Sequence, residues 1–431
     1  MVVQHEELEV RRQELLKRRR RIWIISIAVF VLLVVLFVLF QFTDFMFRVS
    51  PDTQSAPPGS EWSMFRRDMT HTGNAGTSSA LPEGTLAWTF TTGATIHSSP
   101  AVVDGTVYFG SRDHKIYALD AATGEQKWAF ETGSWVESSP IVVGGVVYCG
   151  SNDGYLYALN AKTGTKIWSY YTVFPVRSSP ALADGVVYCG SDDFGVHAVD
   201  AATGKGIWHK RTDNMVLSSP VVTRGVVVVG SIDGICYTFN AKNGRPRLQF
   251  LTNSSSSVSA SPAVKDGVAY FTDSSGYFYA IDVSAKNWLW ENKLKVYWSA
   301  LYFYGVAPRP PKPSGYLWSY SLGFRVNSSS STAIAGNNAY LGAGKDVISL
   351  DITTHQVQWT FKTDNLVVSS PAETDTAIYV GGEDGRLYAI DRAAGTKLWE
   401  GVTGGVITSS PAIANGMVYI SCEDGKLYAF K

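Results

Sequence analysis

The stretch SSPAVVDGTVYFGSRDHKIYALDAATGEQKWAFETG, residues 98–133, decides the fold. It contains four short runs that are rich in β-branched and aromatic residues: AVV, TVYFGS, KIYALD and EQKWAF. Turn residues such as DG and ATG separate these runs, and this arrangement is typical of antiparallel hairpins. The stretch therefore predicts one four-stranded antiparallel sheet.

The same pattern recurs about every 40 residues along the chain. Since one small sheet cannot bury both of its faces alone, such repeats are expected to stack around a common axis. We therefore predict an all-β fold, an eight-bladed β-propeller of four-stranded antiparallel blades. A Ser-Ser-Pro element, or a close relative of it, ends at Pro100, Pro140, Pro180, Pro220, Pro262, Thr332, Pro371 and Pro411.

The two ends of the repeat region complement each other. The eighth repeat stops at KLYAFK and lacks a fourth strand, whereas the segment GTLAWTFTTG precedes the first complete repeat. We expect a strand at residues 84–92 to pair with the last blade, which closes the ring and removes an exposed sheet edge. The predicted propeller domain covers residues 61–431.

An apolar run at residues 22–40 is broken only by Ser26. At 1.5 Å per residue such a run spans roughly 30 Å, the thickness of the hydrocarbon core of a bilayer. We predict a retained transmembrane helix at residues 22–42. The alternative, a cleaved signal peptide, normally has a shorter apolar region and a cleavage site of small residues.

Charge sets the predicted orientation of this helix. Residues 1–21 carry seven Lys or Arg against four Glu, and such basic segments stay in the cytoplasm. Residues 43–60 are rich in Pro, Ser and Gly and are typical of a linker. We expect a single-pass protein of the cytoplasmic (inner) membrane, with the propeller in the periplasm or outside the cell.

The remaining composition excludes several classes of site. Residues 22–431 hold 30 basic and 33 acidic residues, so no nucleic-acid partner is expected. The four cysteines are well separated, which predicts neither a disulfide framework nor a thiolate metal site. The seven histidines are scattered, and the chain has no nucleophile elbow, P-loop or HExxH. We therefore predict no catalytic residue and no metal site.

The repeated ATG…W and VYxGSxDGxLYALD patterns resemble the pyrroloquinoline-quinone-type repeat, shared by the quinoprotein alcohol dehydrogenases and the BamB-type outer-membrane assembly proteins. The resemblance covers residues 61–431 apart from one insertion. It implies that a fourth-strand tryptophan docks each blade against its neighbour. By this resemblance the docking residues are Trp88, Trp128, Trp168, Trp208, Trp290, Trp359 and Trp399.

The loops that join one blade to the next break the repeat and are the candidate binding surface. His97, Glu137 and Arg177 precede Ser-Ser in three consecutive blades, and Trp135 and Phe174 lie close to them in sequence. Aromatic residues with Arg are typical of interface centres. In the BamB-type proteins these loops bind the partner, although an ordinary solvated rim is the alternative here.

A second candidate surface is the insertion at about residues 293–325. It is dense in aromatic residues and contains APRPPKP, which favours polyproline II. Long loops in compact repeat proteins are often functional, although a flap packed against the blade is equally compatible with this sequence. The candidate contacts are Tyr297, Trp298, Tyr302 and Tyr304.

We interpret the chain as a non-enzymatic scaffold or accessory subunit of an envelope complex, bound to the bilayer through residues 22–42 and to other envelope or membrane proteins. No cofactor is predicted. The alternatives are a quinoprotein oxidoreductase that uses pyrroloquinoline quinone with calcium, and a module that binds a small ligand or glycan. The quinoproteins carry adjacent cysteines and calcium ligands on longer chains, and this sequence has no Cys-Cys pair.

Overall fold

The computed structural model describes residues 62–68, 70–75, 82–252, 256–323 and 330–431, together with Lys17, Arg21 and Leu32. The chain divides into two units, residues 1–51 and 52–431, and the fold below is that of the second. The predicted basic segment, transmembrane helix and linker lie outside the described residues, apart from those three isolated positions. Among the described residues, no helix has the length and apolar character needed to cross a bilayer.

The described part of the propeller contains 32 strands and the helix α1 (Glu291–Phe303). The strands, in chain order, are β1 (Leu86–Thr91), β2 (Ala101–Val103), β3 (Thr106–Ser111), β4 (Lys115–Asp120), β5 (Gln126–Glu131), β6 (Ile141–Val143), β7 (Val146–Gly150), β8 (Tyr155–Asn160), β9 (Lys166–Tyr171), β10 (Ala181–Ala183), β11 (Val186–Ser191), β12 (Gly195–Asp200), β13 (Gly206–Arg211), β14 (Val221–Thr223), β15 (Val226–Gly230), β16 (Ile235–Asn240), β17 (Pro246–Leu251), β18 (Ala263–Lys265), β19 (Val268–Thr272), β20 (Tyr277–Asp282), β21 (Tyr316–Ser321), β22 (Ala333–Ala335), β23 (Asn338–Ala343), β24 (Asp346–Asp351), β25 (Gln356–Lys362), β26 (Ala372–Glu373), β27 (Ala377–Gly381), β28 (Arg386–Asp391), β29 (Lys397–Val402), β30 (Ala412–Ala414), β31 (Met417–Ser421) and β32 (Lys426–Phe430).

These strands form eight antiparallel sheets of four, which confirms the predicted eight-bladed propeller. Blade 1 is β2–β5, and the blades follow in chain order to blade 7, which is β26–β29. Blade 8 has the order β1-β32-β31-β30, so its outer strand comes from the start of the domain and the other three from its end. Trp88 of β1 lies opposite Ala429 of β32.

The alternation of side chains between the two faces of each strand explains why the blades stack. Successive side chains of a strand point to opposite faces, and the middle strands are apolar on both. Tyr108 of β3 belongs to one hydrophobic cluster with Val147 and Cys149 of blade 2, whereas Phe109 belongs to another with Tyr419 of blade 8. The hydrophobic core therefore lies between neighbouring blades, and no blade could bury its side chains alone.

The insertion lies elsewhere than the sequence predicts. The sequence spacing places Trp290 on the fourth strand of blade 5 and the insertion after it, at about residues 293–325. In the structure α1 follows β20, and the fourth strand is β21. Trp318 of β21 lies opposite Ala280, as Trp128 lies opposite Ala118 in blade 1. The insertion therefore separates the third and fourth strands of blade 5.

The lead-in segment, residues 62–68 and 70–75, runs along the innermost strands. Trp62 exchanges backbone hydrogen bonds with Val102 of β2 in blade 1, and Thr72 accepts one from Ile334 of β22 in blade 6. Ser63, Thr70 and Gly73 accept equivalent bonds from blades 2, 5 and 7. Because β2 is the inner edge of its sheet, the segment covers the axis side of these blades.

Candidate functional site

Antiparallel strands bring two sets of loops to one face of the propeller. The loop from a fourth strand to the next first strand meets the loop between the second and third strands of that next blade. In blade 2, for example, Val136 donates its backbone N–H to Ser111 of blade 1, and Asn152 donates to the Trp135 carbonyl. We call this side the loop face.

Glu137 is the centre of a charged network on the loop face. The Arg112 guanidinium binds Oε1 of Glu137, with its Nε 2.8 Å away, and Nδ2 of Asn152 donates to Oε2 at 3.0 Å. Arg177 bridges two carboxylates, since its Nε lies 3.7 Å from Oε2 of Glu137 and its Nη2 lies 3.1 Å from Oδ2 of Asp192. The structure thus joins Glu137 and Arg177, two of the predicted site residues.

The carboxylates of this network differ in their electrostatics. Burial alone would raise the pKa of Glu137, but hydrogen bonds from Asn152 and Arg112, with the charges of Arg112 and Arg177, hold that pKa below its ordinary value. Burial raises the pKa of Asp192, and Arg177 only partly opposes that shift. Two guanidinium groups face two carboxylates, so the network fixes the shape of the surface rather than giving it a net charge.

His97 lies at the blade 8 side of the same face. Its Nδ1 is 3.3 Å from Oγ1 of Thr408, and its Nε2 is 3.7 Å from a carboxylate oxygen of Glu423. Burial and the positive charge of Arg112 lower the pKa of His97, against the opposing carboxylates of Glu423 and Glu137. This imidazole is therefore held mostly neutral near pH 7.

Exposed apolar side chains lie beside the charged network. Trp135 is 47% exposed, and the Arg112 guanidinium carbon lies 4.9 Å from its ring centroid. Phe174 is 54% exposed, and Val173 before it has φ 79°, a conformation that β-branched residues rarely adopt. All five predicted residues of this surface lie on the loop face, in blades 8, 1, 2 and 3 or in the loops between them.

The predicted contacts of the insertion lie at the other end of the strands. In an antiparallel blade, the loop between the third and fourth strands lies at one end of the sheet, and the loop from the fourth strand to the next blade lies at the other. The helix α1 and the loop face are therefore on opposite sides of the propeller. Tyr297, Tyr302 and Tyr304 are 70%, 49% and 76% exposed, while the indole of Trp298 donates to the Pro308 carbonyl. One small partner cannot contact both surfaces.

The insertion also covers the outer edge of blade 4. Asn287 donates its backbone N–H to the Arg247 carbonyl of β17, and Gln249 donates its own N–H to Oδ1 of Asn287 at 2.6 Å. Asn292 of α1 donates to the Gln249 carbonyl. Covering an edge strand in this way protects it from pairing with other chains.

Six of the seven predicted docking tryptophans occupy the position between blades. The indole N–H of Trp128 donates to the Ala161 carbonyl of blade 2 at 2.8 Å, and its ring lies against Gly164, where a Cβ would collide with it. Trp290 differs, because it is 65% exposed at the start of α1, and Trp318 holds the docking position of blade 5. Equivalent indole bonds to the next blade, or for the last residue to the lead into β1, are made by Trp88, Trp168, Trp208, Trp359 and Trp399.

A further cluster of side chains in blade 3 was missed from the sequence. Asp193, His197 and His209 place one ligand atom each within 4.8 Å of one another. The sequence signal for this cluster is a substitution within the repeat. His197 stands four residues after Asp193, where the neighbouring repeats have Tyr157 after Asp153 and Tyr237 after Asp233. His197 and His209 are 12 residues apart in the sequence, but the antiparallel register of β12 and β13 places them opposite each other.

The residues present do not fit the quinone cofactor that the repeat family implies. The adjacent cysteine pair of that family is missing, since Cys149, Cys189, Cys236 and Cys422 are separate and buried. Burial raises the pKa of Cys149 to about 12, so its thiol is not reactive. The axis side of five blades is covered by the lead-in segment. We therefore derive no chemistry through this cofactor.

Comparisons with known proteins agree with the fold. The family model described as "Outer membrane protein assembly factor BamB" matches residues 77–176, 172–296 and 312–431. No curated protein matches the chain. BamB from Moraxella catarrhalis is similar in structure, with a TM-score of 0.63, 16% identity, and coverage of 80% of this chain and 97% of that one.

Quinoprotein folds are also similar. A europium-containing methanol dehydrogenase has a TM-score of 0.70 at 14% identity, covering 87% of this chain and 98% of that chain. The quinohemoprotein alcohol dehydrogenase from Comamonas testosteroni has a TM-score of 0.70 at 15% identity, covering 87% and 81%. At such identities the likeness concerns the fold alone. Since the family model spans most of the propeller, the chain belongs to the outer membrane protein assembly factor BamB family.

Proposed function

We propose that this protein is a membrane-anchored, extracytoplasmic scaffold whose loop face docks another envelope protein. The observation that carries the proposal is the pair of exposed aromatic residues, Trp135 and Phe174, beside the ordered network of Glu137 and Arg177. Membership of the BamB family supports a role in protein assembly, and the apolar run at residues 22–40 supports the anchor.

The arrangement favours a protein partner over a small anionic ligand. Arg112, Asn152 and Arg177 already satisfy the carboxylate of Glu137, and Arg177 also pairs with Asp192. The groups left for a partner are the indole, the phenyl ring and the exposed part of the Arg177 side chain, which is 42% exposed. Aromatic residues and Arg at a surface held rigid by hydrogen bonds are typical of binding hot spots.

The test is a double substitution, W135A/F174A, in the full chain. Spheroplasts are treated with a membrane-impermeant crosslinker, and the proteins captured with the chain are quantified by mass spectrometry. We expect the wild type to capture a specific partner and the variant to lose at least about 90% of it, because hot-spot truncations cost about 2 kcal/mol or more each. Both residues are exposed, so thermal unfolding should change little.

The matched control is I167A/I207A, which truncates two apolar side chains of similar exposure, 49% and 46%, on the outer strands of blades 2 and 3. It should capture as much partner as the wild type. Equal capture by W135A/F174A and wild type would overturn the docking surface. No crosslinks at all from an impermeant reagent, while a permeant one gives them, would overturn the extracytoplasmic location.

A further inference from the structure

Blade 3 replaces a hydrogen bond that five other blades share. In blade 2, Tyr157 donates its hydroxyl to Oδ2 of Asp153 at 2.7 Å. Blade 3 has an imidazole at this position, with Nε2 of His197 2.9 Å from Oδ2 of Asp193. The equivalent tyrosine–aspartate bonds elsewhere are Tyr117–Asp113, Tyr237–Asp233, Tyr388–Asp384 and Tyr428–Asp424.

A second imidazole completes the change. His209 of β13 lies opposite His197 of β12, where blade 2 has Ser169. The two rings are stacked, with centroids 4.2 Å apart and planes 8° from parallel. Nε2 of His209 lies 3.4 Å from Oδ2 of Asp193, so both imidazoles direct Nε2 at one carboxylate.

The backbone around the cluster is adapted to it. Gly195 leaves no room for a Cβ, because Nε2 and Cδ2 of His209 occupy that space. Phe194 has φ 67° at the position where blade 2 has Gly154. Oδ1 of Asp193 is buried and has no hydrogen-bond partner among the described residues. Blade 1 has the same two features without a second imidazole, since His114 has φ 72° and Oδ1 of Asp113 also lacks a partner among the described residues. The space that His209 occupies beside Gly195 is therefore what distinguishes blade 3.

We propose that Asp193, His197 and His209 form a binding site for a divalent transition metal of the zinc class. Tetrahedral zinc, with bonds of about 2.0–2.2 Å to nitrogen and oxygen, separates its ligand atoms by roughly 3.3 Å. The separations from Oδ2 of Asp193, 2.9 and 3.4 Å, match that spacing. Because a metal lies near the plane of each imidazole that binds it, the more exposed His209 ring must turn out of its stack on His197 to share the metal. Two imidazoles select transition metals over calcium and magnesium, which prefer oxygen ligands.

A neighbouring hydroxyl sets the tautomer that metal binding needs. Tyr170 of blade 2 places its Oη 3.2 Å from Nδ1 of His197. With the ring proton on Nδ1 and donated to this hydroxyl, Nε2 has a free lone pair for the metal, as second-shell partners of zinc histidines commonly arrange. His209 has a 38% exposed side chain, which leaves a fourth coordination position open towards solvent. Without the metal, a proton on Nε2 of His197 bonds it to Asp193; metal binding displaces that proton to solvent while Nδ1 takes one up, so the imidazole changes tautomer with no net release of protons.

The test compares the wild type with H197Y/H209S, which installs the Tyr and Ser of blade 2. The purified full chain is dialysed against EDTA and titrated with ZnCl₂ by isothermal calorimetry, and bound zinc is counted by elemental analysis after gel filtration. We expect one zinc per wild-type chain and at least a 100-fold weaker affinity, or no binding, for H197Y/H209S. Because the variant restores the tyrosine–aspartate pair, it should unfold at a temperature close to that of the zinc-free wild type.

Zinc should also raise the unfolding temperature of the wild type and leave that of H197Y/H209S unchanged, since a ligand that binds only the folded state stabilises it. The control H114N removes a histidine of blade 1 outside the cluster and should keep wild-type binding. The proposal is overturned if the wild type binds no zinc at about 100 µM metal, which corresponds to the weakest dissociation constant of interest. Equal zinc binding by H197Y/H209S and the wild type would also overturn it.

Discussion

The second serine of each Ser-Ser-Pro element joins its blade to the one before it. The backbone N–H of Ser99 donates to Oγ of Ser139 at 2.9 Å, and the series continues until Ser410 donates to Oγ of Ser99 at 2.8 Å. Eight such bonds run around the ring in the described residues. The others join Ser139 to Ser179, Ser179 to Ser219, Ser219 to Ser261, Ser261 to Ser331, Ser331 to Ser370 and Ser370 to Ser410.

This ring explains why the sequence motif marks the fold so clearly. A buried backbone N–H must find an acceptor, and the serine hydroxyl of the next blade supplies it. The first serine has a separate role, since Oγ of Ser138 accepts from the N–H of Gly150 in its own blade. The Ser-Ser-Pro motif therefore recurs in the sequence because each blade needs both serines, one for a bond within the blade and one for a bond to its neighbour.

The docking tryptophan of blade 5 shows where such reading fails. Trp290 stands eight residues after Asp282, the expected spacing, yet it begins a helix. The correct signal was LWSYS at 317–321, which repeats IWSYY at 167–171 of blade 2. In the structure Trp318 packs between Tyr270 and His355, with centroids 6.0 and 4.4 Å away.

Substituting Trp318 and Trp290 in turn tests which of them docks blade 5 against blade 6. W318A removes an aromatic ring between blades 5 and 6 and should lower the free energy of unfolding by at least about 2 kcal/mol. W290A changes an exposed side chain and should alter it by no more than about 0.5 kcal/mol. Urea unfolding monitored by circular dichroism measures both. Equal losses would show that Trp318 does not dock the blades.

Among the elements, the lead-in segment is unusual because it buries a charged side chain against the innermost strands. It places Arg66 beside Glu373 of β26, and both side chains are buried. Nη2 of Arg66 donates to the Thr332 carbonyl, but both carboxylate oxygens of Glu373 lack a hydrogen-bond partner among the described residues. Burial raises the pKa of Glu373 to about 8, although Arg392 and Arg66 pull it downwards.

This raised pKa predicts a pH dependence of stability. Between about pH 4.5 and pH 8 the folded state keeps the Glu373 proton that the unfolded state has lost, so the stability from this group is full below that window and falls as the pH rises through it. E373Q removes the titration, and we expect its stability to fall less over this range, by on the order of 1–3 kcal/mol. Thermal unfolding at pH 5, 6.5 and 8 measures the difference.

The control for this prediction is E125Q, an exposed glutamate of the turn between β4 and β5. Its stability should follow the wild type at every pH. Parallel curves for E373Q and wild type would mean that Glu373 is already ionised in the folded protein, with Arg66 and Arg392 compensating its burial.

For the whole molecule, the decisive feature is how the ring closes. Blade 8 is the only blade in the described structure whose strands come from both ends of the domain, and its seam is the pairing of β1 with β32. The seam was foreseeable because a fourth strand was missing at one end and present at the other. The side on which the insertion emerges does not follow from the eight-residue spacing alone, because that spacing does not distinguish a helix start from a fourth strand; it follows only from the repeat of IWSYY (167–171) as LWSYS (317–321).

A disulfide across this seam tests whether the ring opens there. Thr91 of β1 lies opposite Lys426 of β32, and the equivalent pair in blade 1 is Lys115 and Glu131. Residues opposite each other on antiparallel strands have Cβ atoms about 4.5–5.5 Å apart, close enough to consider a bridge. T91C/K426C closes a loop of almost the whole domain, whereas K115C/E131C closes one hairpin. Because restricting a longer loop removes more entropy from the unfolded chain, we expect the seam disulfide to stabilise by about 2 kcal/mol more.

Unfolding of each variant with and without reductant measures these contributions, and the native cysteines, all buried, should not exchange with the new pair. If the seam is also where unfolding begins, most of the extra stability of oxidised T91C/K426C over oxidised K115C/E131C should appear as slower unfolding, since a contact absent from the transition state acts on the unfolding rate. Equal unfolding rates for the two oxidised variants would place the first opening away from the β1–β32 seam.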